Sequence, residues 1–240
     1  MHISSKECLA EALQKLGIAN LRPQQEAPME AILNNEDAIV LMPTSGGKSL
    51  LYQLPAVMEP GCLTLVISPL KALQLDQVES LLNKGIRAAV LNSDLSAAEH
   101  RDVLEDMTEH VGLLYLAPEQ LRSPTVAEAL QSCPILTRIA VDEAHTLPQA
   151  KDDFRKAYGK VGSFIHSLPH RPQVIALTAT ATRNDVSRIR SAFQTPNGSA
   201  HLCAATTSIC ASRTSTTARF ARVSASHRPK MCSSNPSSGS

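Results

Sequence analysis

The sequence predicts an α/β fold in which a parallel sheet is covered by helices on both faces. Between residues 37 and 195, short apolar runs alternate with amphipathic segments, and the runs are apolar almost throughout. Strands of this kind are buried on both faces, which is typical of parallel sheets whose strands are joined by helices. Aromatic residues make up only 3% of the chain and tryptophan is absent, so we expect an aliphatic core.

The strands and helices follow from the apolar pattern. Strands are expected at residues 38–42, 62–67, 87–91, 112–116, 135–141 and 173–177. Helices are expected between them at residues 48–58, 70–83, 97–107, 127–131 and 154–168. Residues 6–35 are predicted to form leading helices, with Ser5 as a candidate N-cap because a serine hydroxyl can accept from an unpaired backbone N–H.

Composition divides the chain into leading helices at 1–36, a main domain at 37–195 and a tail at 196–240. From Pro196 onwards Ser, Thr, Ala and Arg dominate without a period, after Asn197-Gly198-Ser199 breaks the last helix. Segments with few apolar residues cannot bury enough surface to fold. We therefore expect the tail to be disordered, or to be the product of out-of-frame translation.

Charge and cysteine usage give only weak functional information. The formal net charge is +1, but the tail carries five basic residues and no acidic one, so residues 1–195 are net negative. The six cysteines show no metal-binding spacing, which favours reduced thiols and a cytoplasmic location. The chain contains no apolar run long enough to span a membrane and no signal-peptide core near Met1, so no membrane partner is expected.

A phosphate-binding turn follows the first predicted strand. Thr44, Ser45, Gly46 and Gly47 form a run of small residues whose backbone N–H groups can point at phosphate oxygens. Lys48 would reach the β- and γ-phosphates, and the Ser49 hydroxyl would ligate Mg²⁺. The strict pattern has glycine at the position of Met42, so a glycine-rich turn without this function is the alternative.

An acidic pair follows the fifth predicted strand. Asp142 would hold Mg²⁺ through water, and Glu143 would orient and deprotonate the attacking water. His145 and the strand-end hydroxyls of Thr178 and Thr180 would couple this site to its neighbours. The alternatives are an ordinary acidic loop and an ordinary threonine-rich strand end.

Two further turns follow predicted strands. Ser68-Pro69 and Pro118-Glu119 lie where ligands of parallel sheets bind, at the carboxyl ends of the strands. Their hydroxyl and N–H groups could contact the phosphates of a nucleic acid. Plain strand-to-helix turns are the alternative interpretation.

Taken in order, these residues resemble the first motor lobe of a superfamily-two helicase, specifically one of the RecQ family of DNA helicases. The resemblance covers roughly residues 8–195. It rests on Leu21-Arg22-Pro23-Gln24-Gln25-Glu26, on Met42 to Ser49 with Leu51-Tyr52-Gln53-Leu54-Pro55, on Ser68-Pro69-Leu70 to Asp76-Gln77-Val78, on Leu91-Asn92-Ser93, on Leu114 to Leu121, and on Asp153-Phe154-Arg155 with Tyr158.

The resemblance implies a RecA-like P-loop lobe of an ATP-dependent DNA helicase, with ATP and Mg²⁺ as cofactors and roles in repair and recombination. It implies that Gln25 reads the adenine edge with Arg22 nearby. Single-stranded or partly duplex DNA would cross the strand ends at a set of expected nucleic-acid residues: Ser68, Pro69, Asn92, Ser93, Pro118, Glu119, Phe154 and Arg155.

The chain departs from the family pattern in several places. Ser45 stands where the family usually has glycine. Leu16 and Ile18 occupy the positions expected for an aromatic residue that stacks on adenine, which predicts weaker base recognition. The family's aromatic-rich, DNA-sensing loop has Ala150 at its tryptophan position, followed by Lys151 and Asp152.

Nothing after residue 195 resembles the family's second motor lobe, which supplies an arginine finger worth ~10³–10⁵ in rate. We therefore expect weak nucleotide binding, poor hydrolysis and no unwinding from this chain alone. A non-catalytic module that binds nucleotide or nucleic acid, and an RNA helicase lobe of the DEAD/DEAH type, are the alternatives.

Overall fold

The computed structural model describes residues 3–109, 111–146, 153–193 and 201–204. These residues belong to one compact unit, Met1–Thr207. No helix in these ranges is long and apolar enough to cross a membrane.

A seven-stranded parallel sheet forms the centre of the fold. The strands are β1 Ala38–Leu41, β2 Leu63–Ile67, β3 Ala88–Leu91, β4 Leu113–Leu116, β5 Leu136–Val141, β6 Gln173–Thr178 and β7 His201–Ala204. Their spatial order is β3-β4-β2-β5-β6-β1-β7. All neighbouring pairs are parallel, so the carboxyl ends of the strands share one edge of the sheet.

Helices cover both faces of this sheet. They are α1 Ile3–Leu16, α2 Pro23–Leu33, α3 Leu50–Met58, α4 Lys71–Leu82, α5 Ala97–Asp106, α6 Pro124–Gln131, α7 Asp153–Ser167 and α8 Arg183–Phe193. The apolar side chains of α1 to α4 pack on one face, and those of α6 to α8 pack on the other. The predicted α/β architecture is therefore confirmed.

Several boundaries differ from the predicted ones. The prediction of Ser5 as an N-cap is wrong, because α1 begins at Ile3 and Ser5 lies inside its first turn. Helix α3 begins at Leu50 rather than at 48, since Gly47 has φ 78° and a left-handed residue cannot join an α-helix. Helix α6 begins at Pro124, where the fixed φ of proline suits a first turn.

Strand β7 lies in the segment that composition predicts to be a tail. Ala38 to Leu41 of β1 pair with His201 to Ala204 of β7 in parallel register. The apolar run here is only Leu202-Cys203-Ala204-Ala205, too short to stand out from its serine- and threonine-rich surroundings. Residues 196–200 and 205–240 lie outside the described residues, and their assignment to a tail stays a prediction.

A buried polar network ties the amino ends of the central strands together. Arg138 of β5 is 3% exposed, and its Nε donates to Gln173 Oε1 of β6 at 2.6 Å. Arg138 Nη2 also lies 3.1 Å from Glu59 Oε2. Gln173 Nε2 in turn donates to the carbonyls of Ile32 and Glu36. The network thus fixes the ends of α2 and α3 against the sheet.

Candidate nucleotide and nucleic-acid site

Sheet order brings two distant loops together. Strands β1 and β5 lie on either side of β6. The loop after β1 carries the predicted phosphate-binding turn, and the loop after β5 carries the predicted acidic pair. Because all three strands are parallel, both loops emerge at the same edge of the sheet, where ligands of open α/β sheets bind.

Lys48 and Glu143 meet at this edge. Lys48 Nζ lies 3.4 Å from Glu143 Oε1, and the lysine is only 6% exposed. A cation this buried needs an anionic partner, and Glu143 supplies it. The two predicted half-sites are therefore one physical site.

Asp142 lies beneath this ion pair. It is 8% exposed, and its Oδ1 accepts a hydrogen bond from the Glu143 N–H at 3.0 Å. Burial, and then the neighbouring Glu143 charge, raise the pKa of Asp142 above its usual value, with Lys48 opposing the rise. A bound cation would offset this rise, because it favours the charged form of the carboxylate.

The backbone at Glu143 is unusual. Glu143 has φ 51°, a left-handed conformation that costs a non-glycine residue roughly 1–2 kcal/mol. Such residues cluster at functional sites, where the surrounding structure holds them in place. Here the conformation turns the chain sharply after β5, which lets Glu143 contact Lys48 while Asp142 stays buried.

The turn after β1 requires its glycines. Gly47 has φ 78°, and a Cβ there would lie 2.6 Å from Gln25 Nε2. A Cβ on Gly46 would collide with the Met42 side chain. Met42, which replaces the glycine of the strict pattern, therefore packs directly against the turn.

Gln25 and Arg22 hold this turn in place. Gln25 is 2% exposed, and its Nε2 donates to the carbonyls of Gly46 and Gly47 at 3.1 and 3.0 Å. Its Oε1 accepts from the Arg22 N–H at 2.8 Å, and Arg22 Nη1 donates to the Ser45 carbonyl. Both ends of the Gln25 amide thus bond to backbone here, so reading an adenine edge would require it to exchange partners.

His145 connects the acidic pair with the end of β6. Its Nδ1 lies 3.2 Å from Glu143 Oε2 and 3.0 Å from Thr178 Oγ1. Thr178 Oγ1 also donates to the Thr180 carbonyl at 2.8 Å. The residues predicted to couple the site to its neighbours therefore form one continuous chain of contacts.

The predicted nucleic-acid residues extend along the same edge, towards β3. Ser68 follows β2, Asn92 follows β3, and Pro118 and Glu119 begin a short helical turn after β4. Pro69 is half-buried beside Ser68. Ser93 accepts a hydrogen bond from Lys71, the first residue of α4, which also contacts Asp94 Oδ1 at 2.7 Å. Phe154 and Arg155 lie near the start of α7, and their side chains lie outside the described residues.

Comparison with known families fixes the class of protein. A model of the DEAD/DEAH box helicase family matches residues 22–189. The chain belongs to the DEAD/DEAH box helicase family.

Within that family, the similarity to RecQ-type helicases is confirmed. The helicase chain is 42% identical to the probable ATP-dependent DNA helicase RecS of Bacillus subtilis (strain 168), over 79% of this chain and 38% of that protein. It is 41% identical to the ATP-dependent DNA helicase RecQ of Pasteurella multocida (strain Pm70), over 72% of this chain and 27% of that protein. The helicase chain thus spans well under half the length of these relatives.

Solved structures confirm the RecA-like fold. The DUF1998 helicase MrfA bound to DNA superposes with a TM-score of 0.68 at 21% identity, over 85% of this chain and 30% of that chain. The Mycobacterium smegmatis helicase Lhr bound to single-stranded DNA and AMP-PNP gives 0.65 at 24% identity, over 82% and 27%. At these identities the structural likeness shows only the fold of the chain.

The residues at this edge of the sheet fit a magnesium nucleotide. Lys48 offers a buried cation, Ser49 a hydroxyl and Asp142 a buried carboxylate. The described residues contain no cluster of three or more His, Cys, Asp or Glu able to hold a metal ion. Mg²⁺ does not need such a cluster, since it is usually bound by one or two protein ligands together with water and phosphate oxygens.

One group of residues at this site was not predicted to be functional. Tyr52, Gln53, Gln77 and Tyr115 belong to the quoted family motifs, yet no role followed from the sequence. The Tyr52 and Tyr115 rings pack edge-on, with an angle of 73° between their planes and 6.2 Å between their centroids. The usable signal was the presence of Tyr52, Gln53 and Tyr115 within apolar stretches, where polar atoms need partners.

Proposed function

We propose that this chain is the first motor lobe of a RecQ-like ATP-dependent DNA helicase, and that it binds ATP with Mg²⁺ and single-stranded DNA. The observation that carries the proposal is the 3.4 Å contact between Lys48 and Glu143 across the ends of β1 and β5. It brings together the lysine proposed to bind phosphate and the carboxylate proposed to activate water, which supports one shared site for phosphoryl transfer.

Each residue of this site has a proposed role. Gly46 and Gly47 allow backbone N–H groups to approach phosphate oxygens, and Lys48 binds the β- and γ-phosphates. Ser49 and Asp142 would hold Mg²⁺, which neutralises negative charge on the phosphates when bound. Glu143 orients the attacking water and accepts its proton. Arg22 and Gln25 shape the turn and contact the adenine, while His145, Thr178 and Thr180 couple the site to the DNA edge.

The edge from β2 to β3 supports single-stranded DNA binding. Lys71 is partly exposed there, and its Nζ contacts both Ser93 Oγ and Asp94 Oδ1. At the ends of β2 and β3, Ser68 Oγ and Asn92 Nδ2 are buried without a hydrogen-bond partner among the described residues. Unsatisfied buried donors are costly. Because both atoms are covered, phosphate oxygens would satisfy them only after this edge of the sheet opened. The DNA helicase names of the relatives favour DNA over RNA as the ligand.

Unwinding is proposed to need more than this chain. The relatives are much longer, and an arginine finger from a second lobe stabilises charge in the transition state. We expect the chain alone to bind nucleotide weakly, to hydrolyse it slowly and not to separate strands. A cytoplasmic location and roles in repair and recombination are further proposals that rest on the family.

Calorimetric titration with Mg·ADP tests the nucleotide site. We expect native protein to bind and Lys48→Ala to bind at least 10-fold more weakly, because a buried cation facing the phosphates is lost. Lys84→Ala is the matched control, since Lys84 is exposed in the turn after α4. Equal affinities for native protein and Lys48→Ala would remove the basis of the proposal.

Binding of a labelled oligo(dT) tests the DNA edge. We expect Lys71→Ala to weaken binding and to reduce its dependence on salt, because one phosphate contact is removed. Lys84→Ala again serves as the control. Oligo(rU) in the same assay distinguishes the DNA helicase lobe from the RNA helicase alternative, and tighter binding of the RNA would favour the latter.

A further inference from the structure

A chain of polar side chains runs beneath the nucleotide site from α3 to α4. Gln53 of α3 donates from Nε2 to the Tyr115 hydroxyl of β4 at 3.1 Å. The same nitrogen donates to Gln77 Oε1 of α4 at 2.7 Å. Gln53 therefore bridges a strand of the sheet and the helix that begins at Lys71 on the DNA edge.

The other end of this chain reaches the proposed magnesium ligand. Tyr52 lies one turn after Ser49, and its backbone N–H donates to the Ser49 carbonyl at 3.3 Å. Its ring packs edge-on against that of Tyr115, with the ring centroids 6.2 Å apart. Ser49 immediately follows Lys48 in the predicted phosphate-binding turn. Backbone bonding, ring packing and hydrogen bonds thus join five residues in the order Ser49, Tyr52, Tyr115, Gln53 and Gln77.

The path is buried where it crosses the protein. Tyr52 and Tyr115 are 2% and 1% exposed. Burial raises the pKa of Tyr115 to about 12 and that of Tyr52 well above its usual value, and the charge of Asp142 adds to both. Both tyrosines therefore keep their protons and lie close enough to Asp142 to sense its charge. Hydrogen bonds in such surroundings are strong, and neighbouring bonds in a chain polarise one another.

Apolar packing alone does not explain these residues. Phenylalanine and leucine would fill the same space without requiring partners, and a buried polar network needs every member to be satisfied. Here the hydroxyl and amide groups bond mainly to each other, and they connect two ligand-binding regions. The Ser49 hydroxyl is the member that a magnesium nucleotide would change directly, because its oxygen would become a metal ligand.

We propose that Tyr52, Tyr115, Gln53 and Gln77 form a relay of packed and hydrogen-bonded side chains that links magnesium-nucleotide binding at Ser49 to the position of α4, and thereby to single-stranded DNA binding. The inference rests on the proposed function and adds positioning residues to it. Bound Mg²⁺ would be held in part by the Ser49 hydroxyl and would polarise it. The contacts of Tyr52 and Tyr115 would change in turn, and Gln53 would pass the change to Gln77. By thermodynamic reciprocity, DNA that shifts α4 changes nucleotide affinity by the same factor.

The chain contains three tyrosines and no tryptophan, which makes the relay directly observable. Tyrosine labelled with ¹³C at the ring carbon bearing the hydroxyl gives at most three signals, because that carbon responds to hydrogen bonding. The Tyr52→Phe, Tyr115→Phe and Tyr158→Phe variants assign them. We expect saturating Mg·ADP to shift the Tyr52 and Tyr115 signals, and oligo(dT) to shift the Tyr115 signal.

Coupling is measured as the ratio of Mg·ADP affinities with and without saturating oligo(dT), in the intact 240-residue chain. We expect a ratio of about 5 or more in native protein. Tyr115→Phe keeps the ring and removes the hydroxyl, so both ligands should still bind while the ratio falls towards 1. Gln77→Leu should do the same from the far end of the relay. Ser80→Ala, at an exposed position of α4, is the control and should keep the native ratio.

The outcomes separate the relay from the proposed function. Binding of both ligands without movement of the Tyr115 signal, or with a native ratio near 1, overturns the relay and leaves the function standing. An unchanged ratio in both Tyr115→Phe and Gln77→Leu also overturns it. Failure of native protein to bind nucleotide or DNA overturns the proposed function, and the relay falls with it.

Discussion

Lys48 and Glu143 form an ion pair across the loops that follow β1 and β5, with Nζ and Oε1 3.4 Å apart. The pair neutralises a lysine that is almost fully buried. Under the proposed function, a nucleotide phosphate would compete with the Glu143 carboxylate for Lys48. Both members of the ion pair therefore have proposed roles in phosphoryl transfer.

Replacing Glu143 by glutamine should separate its pairing with Lys48 from its proposed role as the base that accepts a proton from water. We expect Glu143→Gln to bind Mg·ADP as tightly as native protein or up to about 5-fold more tightly, because a competing charge of roughly 1 kcal/mol is removed. Any ATP hydrolysis should be lost, since the amide cannot accept the water proton. Calorimetry and phosphate release provide the two measurements. Exposed Glu79→Gln is the control, and a loss of affinity as large as that of Lys48→Ala would contradict the competition.

The phosphate-binding turn should not tolerate a side chain at Gly47. Gly47→Ala forces a left-handed residue at a cost of roughly 1–2 kcal/mol and places its Cβ against Gln25. We expect nucleotide affinity to fall by more than 10-fold by calorimetry. Gly61→Ala is a matched control, since Gly61 has φ 89° and open space around the new Cβ. It should lower stability by a similar backbone cost and leave nucleotide binding unchanged; equal binding losses would point to general destabilisation.

Asp142 should destabilise the nucleotide-free protein at neutral pH. Because burial and Glu143 raise its folded pKa, the folded protein binds a proton more readily than the unfolded chain between the ordinary and raised pKa values. The free energy of unfolding therefore falls as pH rises through that interval. Asp142→Asn should abolish this pH dependence, because asparagine does not titrate. We expect the variant to melt a few degrees higher than native protein at pH ~7 and at the same temperature below pH ~3.9, where native Asp142 is protonated in both states.

Thermal melts in the presence of a magnesium chelator check this expectation. Asp102→Asn, at an exposed position of α5, is the control and should leave the melting temperature unchanged at both pH values. A lower melting temperature for Asp142→Asn at neutral pH would show that the carboxylate stabilises the empty site.

The network at the opposite edge of the sheet should be structural. Arg138→Met removes the donor to Gln173 Oε1 and leaves that buried oxygen without its partner. We expect a loss of about 1–3 kcal/mol in unfolding free energy, measured by urea denaturation. Glu59→Gln should cost less, because Glu59 is partly exposed and water can replace its contact. A larger effect for Glu59→Gln than for Arg138→Met would be inconsistent with this ranking.

The parts of the fold that could be predicted from sequence are those set by local chemistry. Buried parallel strands give continuous apolar runs, and β1, β5 and β6 were predicted to within two residues at each end. Gly46, Gly47, Lys48 and Asp142 occur in short motifs that directly follow apolar strands, and the chemistry of phosphate and metal binding explains these residue types. Strand β7 could not be predicted in this way, since its four residues form a strand only because β1 offers an edge.

Side-chain partners were also beyond the reach of the sequence. The pattern indicates that Gln25 lies near the nucleotide, but it cannot show that the amide bonds to Gly46 and Gly47. Likewise, the relay depends on β4 and α4 lying beside α3, which is a property of the whole sheet. Such contacts are set by tertiary packing rather than by spacing along the chain.

Strand β7 has a practical consequence for anyone who shortens this protein. Ending the chain before residue 201, where composition suggests a boundary, would remove one of the two neighbours of β1 and leave the N–H and C=O groups on that side unpaired. Open strands of this kind recruit other strands, so the trimmed protein should be prone to self-association. The exposed edge would be β1, the strand that leads into the predicted phosphate-binding turn, so β1 is where the molecules should pair with one another.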